Sequence, residues 1–103
     1  MSSITVKLAG VTFDQCQENI NFYGPTAFST FELNREPDNP YDQNAIWVGI
    51  GQYKFGYIPK YQAVALSAKM DGGRAFVAVS ASVNRSAYHN TVGMTVKIKE
   101  INN

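Results

Sequence analysis

The sequence has few of the residues from which catalytic and metal sites are built. Among its 103 residues there is one cysteine, Cys16, and one histidine, His89. A lone cysteine excludes an intramolecular disulfide and agrees with a reducing compartment. One Cys and one His cannot supply a zinc site within one chain, and no nucleophile–histidine–acid set is suggested by local spacing. The G-x-x-x-x-G-K-[ST] phosphate loop is also absent. The sequence therefore predicts no metal, no cofactor and no enzymatic activity.

Long hydrophobic runs are missing as well. No stretch approaches the roughly 18 apolar residues needed to span a bilayer, and the amino-terminal residues lack a signal-peptide pattern. The composition, with 45% hydrophobic, 13% aromatic and 17% charged residues, suits a folded domain rather than a disordered chain. We therefore expect residues 1–103 to form a single cytoplasmic domain that makes no membrane contact.

A large charge of either sign is absent too. The net charge is +1, made up of −4 over residues 1–43 and +5 over residues 44–103. Non-specific binding to a polyanion normally needs a clear basic excess, so this balance argues against it. A local anion site remains compatible with the sequence.

What is present is a series of short alternating segments. Apolar and polar residues alternate with the period of a half-buried strand over residues 4–10, 27–35, 45–50, 53–58, 76–83 and 94–101. Gly51-Gln52 is a suitable two-residue hairpin connection. Six strands with one or two short helices predict a mostly β fold, a small six-stranded barrel of the SH3-like or OB-like kind.

The remaining segments predict helices and loops. Residues 15–23 form a short helical turn or an ordered loop, and Pro59 opens a helix that ends at Gly72-Gly73. Helical spacing predicts that one face of this helix is apolar. Residues 84–90 are polar and predict a loop. The residues of the predicted apolar face are Tyr61, Val64, Ala65 and Ala68.

The most informative stretch is EPDNPYDQN, residues 36–44. Its two prolines fix φ and remove backbone donors, while Asp and Asn side chains can cap backbone amides. This composition predicts a rigid turn between two strands.

The order of motifs resembles the HIRAN domain family. AGVTF (residues 9–13) is followed by QENI (17–20), LNREPDNPYDQNAI (33–46), GYIP (56–59) and an alanine-rich helix. The resemblance covers residues 6–101, and residues 35–46 are its most specific part. It implies a small β-barrel with two short helices that captures single-stranded DNA, preferentially at a free 3′ end. The implied partners are therefore single-stranded DNA and a helicase or repair protein.

The resemblance singles out Asp42 as the residue that recognises the end of the strand. The matching family aspartate accepts a hydrogen bond from the terminal 3′-hydroxyl. A carboxylate suits this role because it only accepts hydrogen bonds and repels a phosphate placed where the hydroxyl would be. An aspartate in a proline-rich turn also often caps its own backbone, and both roles are compatible.

The resemblance also places Phe13, Tyr57 and Tyr88 around the terminal nucleotides. Aromatic faces tolerate any base and contribute about 1–3 kcal/mol per stacked base. Ordinary core packing is the alternative for Phe13, whereas Tyr88 lies among polar residues and is expected to be exposed. Lys60 and Arg85 are candidate phosphate contacts because they lie close in sequence to Tyr57 and Tyr88. We interpret Asn39, Tyr41 and Asn44 as scaffold for the turn.

One position departs from the family pattern. Eukaryotic members carry a basic residue and two aromatics where this chain has Thr12, Phe13 and Asp14. Loss of the basic residue and gain of an acid weaken a contact close to phosphate, which affects 3′-end affinity rather than the fold. Two alternatives therefore stay open: a protein-interaction barrel that has lost nucleic-acid binding, and a small nuclease with Asp42 as a metal ligand.

Overall fold

The computed structural model describes residues 3–23, 30–85 and 91–101. Within these ranges the chain forms six β-strands and two α-helices. In chain order they are β1 (Ser3–Lys7), α1 (Cys16–Tyr23), β2 (Thr30–Arg35), β3 (Ile46–Ile50), β4 (Tyr53–Tyr57), α2 (Lys60–Asp71), β5 (Ala75–Arg85) and β6 (Val92–Ile101).

The strands form one sheet whose two ends are brought together. Their order is β1-β6-β5-β2-β3-β4, and all neighbouring pairs are antiparallel. Just beyond β1, Ala9 pairs with Tyr57 at the end of β4, and each amide donates to the other's carbonyl oxygen at 2.8 Å. This two-bond bridge connects the first and last strands of the sheet. The prediction of a mostly β, six-stranded barrel with one or two short helices is confirmed.

Glycines permit the tight geometry of the β3–β4 hairpin. Gly51 has a φ of +57° in the two-residue connection between Ile50 and Tyr53, as its sequence predicts. At Gly49 the register shifts, and a Cβ there would overlap the backbone carbonyl oxygen of Tyr53. A larger residue at position 49 would therefore force the two strands apart.

The interior of the barrel is apolar. Phe31 of β2 and Phe55 of β4 meet edge to face, with ring centroids 5.2 Å apart. Complete burial of side chains of this kind contributes roughly 1.5–3 kcal/mol each. Helix α1 adds Cys16 and Ile20 to the buried residues, and α2 adds Ala63 and Leu66. Neither described helix has the length and apolar character required to cross a lipid bilayer.

The face of α2 that packs against the barrel is not the apolar face identified in the sequence. Tyr61 is 79% exposed and Val64 is 57% exposed, whereas the buried side chains are Ala63, Leu66 and Ser67. Both sets have helical spacing, so the pattern alone does not decide which face lies inward. Long-range contacts decide it, because Ser67 donates from Oγ to Asn44 Oδ1 at 3.3 Å and Asp71 accepts from Arg35.

The predicted loop over residues 84–90 also needs correction at its start. Strand β5 continues to Arg85, with Asn84 paired to Gly93 and Arg85 paired to Val92. Asn84 Nδ2 donates to Thr95 Oγ1 at 2.9 Å, so a polar side chain is satisfied across the strand pair. Residues 86–90 lie outside the described part of the chain, as do residues 27–29 of the predicted second strand.

Candidate functional site

The two ends of the sheet meet beside an open cavity of about 660 Å³. Ala9 and Tyr57, which form the bridge, both line it. One wall is the loop of residues 10–15 that follows β1, and the other is the turn of residues 36–45 between β2 and β3. We call them the 10–15 loop and the 36–45 turn. Lys54 and Tyr57 of β4 lie between them, and Lys60 at the start of α2 completes the lining.

The 36–45 turn is held by its own side chains. Asn39 Oδ1 accepts hydrogen bonds from the backbone amides of Tyr41, at 2.8 Å, and Asp42, at 3.1 Å. Asn39 Nδ2 donates to Glu36 Oε1 at 2.8 Å. At the ends of the turn, the Glu36 amide donates to the Ala45 carbonyl oxygen at 2.9 Å. The scaffold role expected of Asn39 follows directly from these contacts.

Asp42 lies in this turn, and one of its two carboxylate oxygens accepts a hydrogen bond from the backbone. Its Oδ1 accepts a hydrogen bond from the Asn44 amide at 2.9 Å, which is the backbone cap expected for an aspartate in such a turn. Within the described residues, no donor contacts Oδ2. The side chain is half-buried and lines the cavity. The backbone cap therefore uses Oδ1 and leaves Oδ2 without a donor among the described residues.

Arg35 connects the 36–45 turn to α2 through hydrogen bonds to both. Its Nε and Nη2 donate to the two carboxylate oxygens of Asp71 at 2.9 and 3.0 Å, a bidentate pair. Its Nη1 donates to the Ala45 carbonyl oxygen at 2.9 Å. Ala45 in turn donates its amide to the Asp42 carbonyl oxygen at 3.0 Å. The last turn of α2 is thus connected through Arg35 to the residue that presents the carboxylate.

The 10–15 loop is shaped by unusual backbone angles. Gly10 has a φ of +63°, and a Cβ there would lie 3.4 Å from the ring of Tyr57. Asp14 and Gln15 also have positive φ, 53° and 64°. Aspartate is among the residues that tolerate this region best. The result is a tight turn that leaves Phe13 66% exposed at the cavity, so Phe13 is not a core residue.

Contacts from outside the loop hold it in place. Gln17 of α1 donates from Nε2 to the Val11 and Val92 carbonyl oxygens, each at 2.8 Å, and its Oε1 accepts from the Val92 amide at 2.7 Å. Its side chain therefore pairs with β6 as a strand backbone would. Gly56 lets the chain from Leu8 into the loop approach β4, because a Cβ there would lie 2.9 Å from Leu8 Cβ and 3.1 Å from Val11 Cγ1.

Four polar side chains meet between the two walls. Lys54 Nζ donates to Glu36 Oε2 and to the Tyr57 hydroxyl, each at 2.9 Å, and to Asp14 Oδ2 at 3.5 Å. The Tyr57 hydroxyl lies 3.1 Å from Glu36 Oε1 and 3.4 Å from Asp14 Oδ2. Lys54 Nζ also lies 5.3 Å from the centroid of the Tyr57 ring. We call Asp14, Glu36, Lys54 and Tyr57 the lysine cluster.

The lysine cluster shifts the pKa values of its members. Partial burial acts to raise the pKa of Glu36, but hydrogen bonds from Asn39, Lys54 and Tyr57 outweigh it and hold the pKa below its ordinary value. Partial burial acts to lower the pKa of Lys54, but contacts with Tyr57 and Glu36 raise it well above the usual range. Burial raises the pKa of Tyr57, although Lys54 opposes the change. At neutral pH the lysine and Glu36 are therefore charged and the tyrosine is neutral.

Three carboxylates and two lysines line the cavity, which leaves it with a formal charge of −1. Lys54 is engaged by Glu36, so Lys60 is the lysine on the lining without a described ion pair. Lys60 stands at the amino end of α2, where the helix dipole adds positive potential. Lys60 is therefore the positive group of the lining that a carboxylate of the described residues does not neutralise, in a cavity whose overall formal charge is negative.

The structure brings together four of the six residues predicted for the site. Phe13, Asp42, Tyr57 and Lys60 line the same cavity. Arg85 is not among its described lining residues, and its Nη1 instead contacts Asn21 Oδ1 of α1 at 3.2 Å. Tyr88 lies outside the described residues.

Several lining residues were not predicted for this site. Tyr41, interpreted as scaffold, is 86% exposed, so the backbone of this residue belongs to the turn while its ring faces open space at the cavity. Its position next to Asp42 was the signal in the sequence. Glu36 and Lys54 carried no such signal, because they are 18 residues apart and meet only through β2–β3–β4 pairing. Within the described residues, no group of three or more His, Cys, Asp or Glu side chains could hold a metal ion.

The fold and the cavity together define a class of protein: a small β-barrel domain with a cleft where the ends of its sheet meet. The family model of the HIRAN domain matches residues 3–100, and the chain belongs to this family. The HIRAN domain is a binding domain rather than a catalytic one, and the family is known for DNA binding.

Solved structures include two with this fold. The crystal structure of the HIRAN domain of human HLTF is 24% identical, with a TM-score of 0.67 over 96% of this chain and 74% of that chain. A crystal structure of a protein from Lactobacillus plantarum is 25% identical, with a TM-score of 0.69 over 95% of this chain and 97% of that chain. Comparison with curated proteins finds no match.

Proposed function

We propose that this chain is a single HIRAN domain that binds single-stranded DNA without catalysis and takes a free 3′ end into the cavity. One observation carries the proposal: the half-buried carboxylate of Asp42 and three aromatic side chains line one open cavity. Phe13 and Tyr41 present exposed rings there, and the ring of Tyr57 is fixed by Lys54.

Each group has a distinct role in this proposal. The exposed rings stack on terminal bases of any identity, at about 1–3 kcal/mol per base. Asp42 Oδ2 accepts a hydrogen bond from the terminal 3′-hydroxyl, while Oδ1 keeps its hydrogen bond from the Asn44 amide. Lys60 contacts the adjacent phosphate. Tyr88 and Arg85 are proposed as further contacts along the strand, and a helicase or repair protein is the proposed partner that delivers the DNA.

The test uses two short oligonucleotides that differ only in a 3′-hydroxyl or a 3′-phosphate. A hydrogen bond to a charged group contributes roughly 1.5–3 kcal/mol, about 10- to 150-fold in affinity. Asp42→Asn keeps an acceptor for the Asn44 amide but loses the charge, so it should remove most of the difference between the two ends. Asp38→Asn is the matched control, because Asp38 is exposed in the same turn but does not line the cavity. Fluorescence anisotropy that shows equal wild-type affinity for both ends would end the 3′-end proposal.

A protein-interaction barrel is the second candidate, favoured by the exposed apolar face of α2. Tyr61 and Val64 are exposed on this face beside Ala65 and Ala68. Such a patch is typical of contact surfaces when it is rimmed by polar residues. If Tyr61→Ser leaves oligonucleotide binding intact and abolishes binding to a partner protein, the two functions reside on separate faces.

A further inference from the structure

Lys54 is the most confined cation at the cavity, and its contacts account for all of its hydrogen-bonding capacity. A lysine ammonium has three donors. They match three acceptors: Glu36 Oε2 at 2.9 Å, the Tyr57 hydroxyl at 2.9 Å and Asp14 Oδ2 at 3.5 Å. In this state, a phosphate that enters the cavity can reach Lys54 only by displacing one of them.

Asp14 is the acceptor that a phosphate would displace. Its contact with Lys54 is the longest of the three, and its side chain is 53% exposed, compared with 28% for Glu36. Glu36 is additionally held by Asn39, and Tyr57 is held by the backbone bridge to Ala9. Asp14 is held by the left-handed backbone of the 10–15 loop, which places the carboxylate at the mouth of the cavity.

We propose that Asp14 is a specificity-determining residue, because it occupies the third donor of Lys54 and withholds this cation from phosphate. The inference rests on the proposed 3′-end recognition and names a second source of its selectivity. Asp42 accepts a hydrogen bond from the 3′-hydroxyl, and Asp14 keeps Lys54 from binding a phosphate at the same position. The site therefore takes hydroxyl-terminated ends, and a single carboxylate sets the affinity for phosphorylated ends.

Removal of the Asp14 charge should affect the binding of the two oligonucleotides differently. Two unit charges about 4 Å apart in a water-like medium interact strongly enough to change affinity about fivefold. Asp14→Asn should raise affinity for a 3′-phosphate oligonucleotide about three- to tenfold, because a neutral amide oxygen holds the Lys54 ammonium less strongly than a carboxylate and is displaced more readily by phosphate. Affinity for the 3′-hydroxyl end should change by less than about twofold. Asparagine also tolerates positive φ, so this substitution keeps the backbone of the loop.

Glu18→Gln is the matched control. Glu18 is exposed on α1 near the loop and does not line the cavity, so this variant changes the net charge equally without touching Lys54. If Glu18→Gln and Asp14→Asn raise the affinity for both oligonucleotides by the same factor, the effect is general attraction and the proposal is wrong. A gain that survives in Asp14→Asn/Lys54→Met would also overturn it, because another cation would then bind the phosphate.

A titration with inorganic phosphate tests the inference separately from DNA binding. The side-chain nitrogen resonance of Lys54, followed by NMR, should shift with phosphate in Asp14→Asn and remain unchanged in the wild type. If the wild-type protein binds no oligonucleotide, the proposed function fails, and this titration still decides the role of Asp14. Equal shifts in both proteins, or none in Asp14→Asn, would show that Asp14 does not withhold Lys54.

Discussion

The two walls of the cavity are built by different means. The 36–45 turn satisfies its backbone with side chains from its own sequence, chiefly Asn39 and Asp42. The 10–15 loop instead depends on residues outside it: Gln17 of α1 binds the Val11 carbonyl oxygen, and Lys54 of β4 contacts Asp14. The backbone of the first wall is therefore held largely by side chains of the turn itself, whereas the second wall depends more on contacts with α1 and β4. Substitutions that separate these two cases test the comparison.

The largest effect is expected where the loop approaches β4. Gly56→Val should destabilise the fold by roughly 1–3 kcal/mol, because the added side chain overpacks against Leu8 and Val11. Urea unfolding measures this change. Gly93→Ala is the control, since a Cβ there meets only ordinary contacts at 3.6 Å from Asn84. Equal destabilisation by both variants would mean that the close approach of Leu8 and Val11 does not limit the size of the residue at position 56.

The next effect concerns the turn and should remain local. Asn39→Ala removes the acceptor for the Tyr41 and Asp42 amides, at a cost of about 1–3 kcal/mol. Hydrogen exchange should show faster exchange at these two amides and little change in the 10–15 loop. Asp38→Ala, on an exposed residue of the same turn, serves as the control. Faster exchange across both walls would contradict the view that the turn is self-supporting.

A pH titration of stability examines the contact between the walls. The folded protein holds the pKa of Glu36 below its ordinary value of 4.5, so the stabilising contribution is present above that pH. It is lost as the pH falls through the folded-state pKa, when the carboxylate gains a proton and its attraction for Lys54 disappears. Glu36→Gln should therefore lose less stability than the wild type on acidification below about pH 4.5. Parallel urea midpoints for the two proteins from pH 6 to 3 would count against this role.

The smallest effect distinguishes Lys60 from Arg85. Lys60→Gln should reduce the salt dependence of oligonucleotide binding by about 0.7 in the slope of log K against log salt, as expected for one lost phosphate contact. Arg85→Gln should leave the slope unchanged in an oligonucleotide too short to leave the cavity, because Arg85 contacts Asn21 rather than the lining. Binding isotherms at several salt concentrations provide the slopes. If Arg85→Gln reduced the slope by the same amount, the DNA-binding surface would extend beyond the cavity.

The same contrast explains what could be predicted from the sequence. The 36–45 turn, the Gly51 hairpin and the start of α2 after Pro59 are set by neighbouring residues, so local patterns predict them. Which face of α2 lies inward was not predicted, because both faces have helical spacing and the choice involves contacts with Asn44 and Arg35.

The candidate site divides in the same way. Asp42 and Tyr57 follow from motifs that resemblance to a family makes visible. Lys54 and Glu36 meet because three strands align in a particular register, and pairwise distances across a sheet cannot be obtained from residue spacing alone. The residues that tune the charge of the cavity were consequently harder to predict than those that shape it.

The bridge between Ala9 and Tyr57 gives binding and folding a common reporter. These two amides form the seam of the barrel and also line the cavity. A molecule that spans the walls holds the seam shut, so its binding free energy adds to the stability of the folded state by mass action. Local opening of the seam would expose both amides to solvent and separate two residues of the cavity lining. Hydrogen exchange at these two amides is therefore expected to slow when a ligand occupies the cavity.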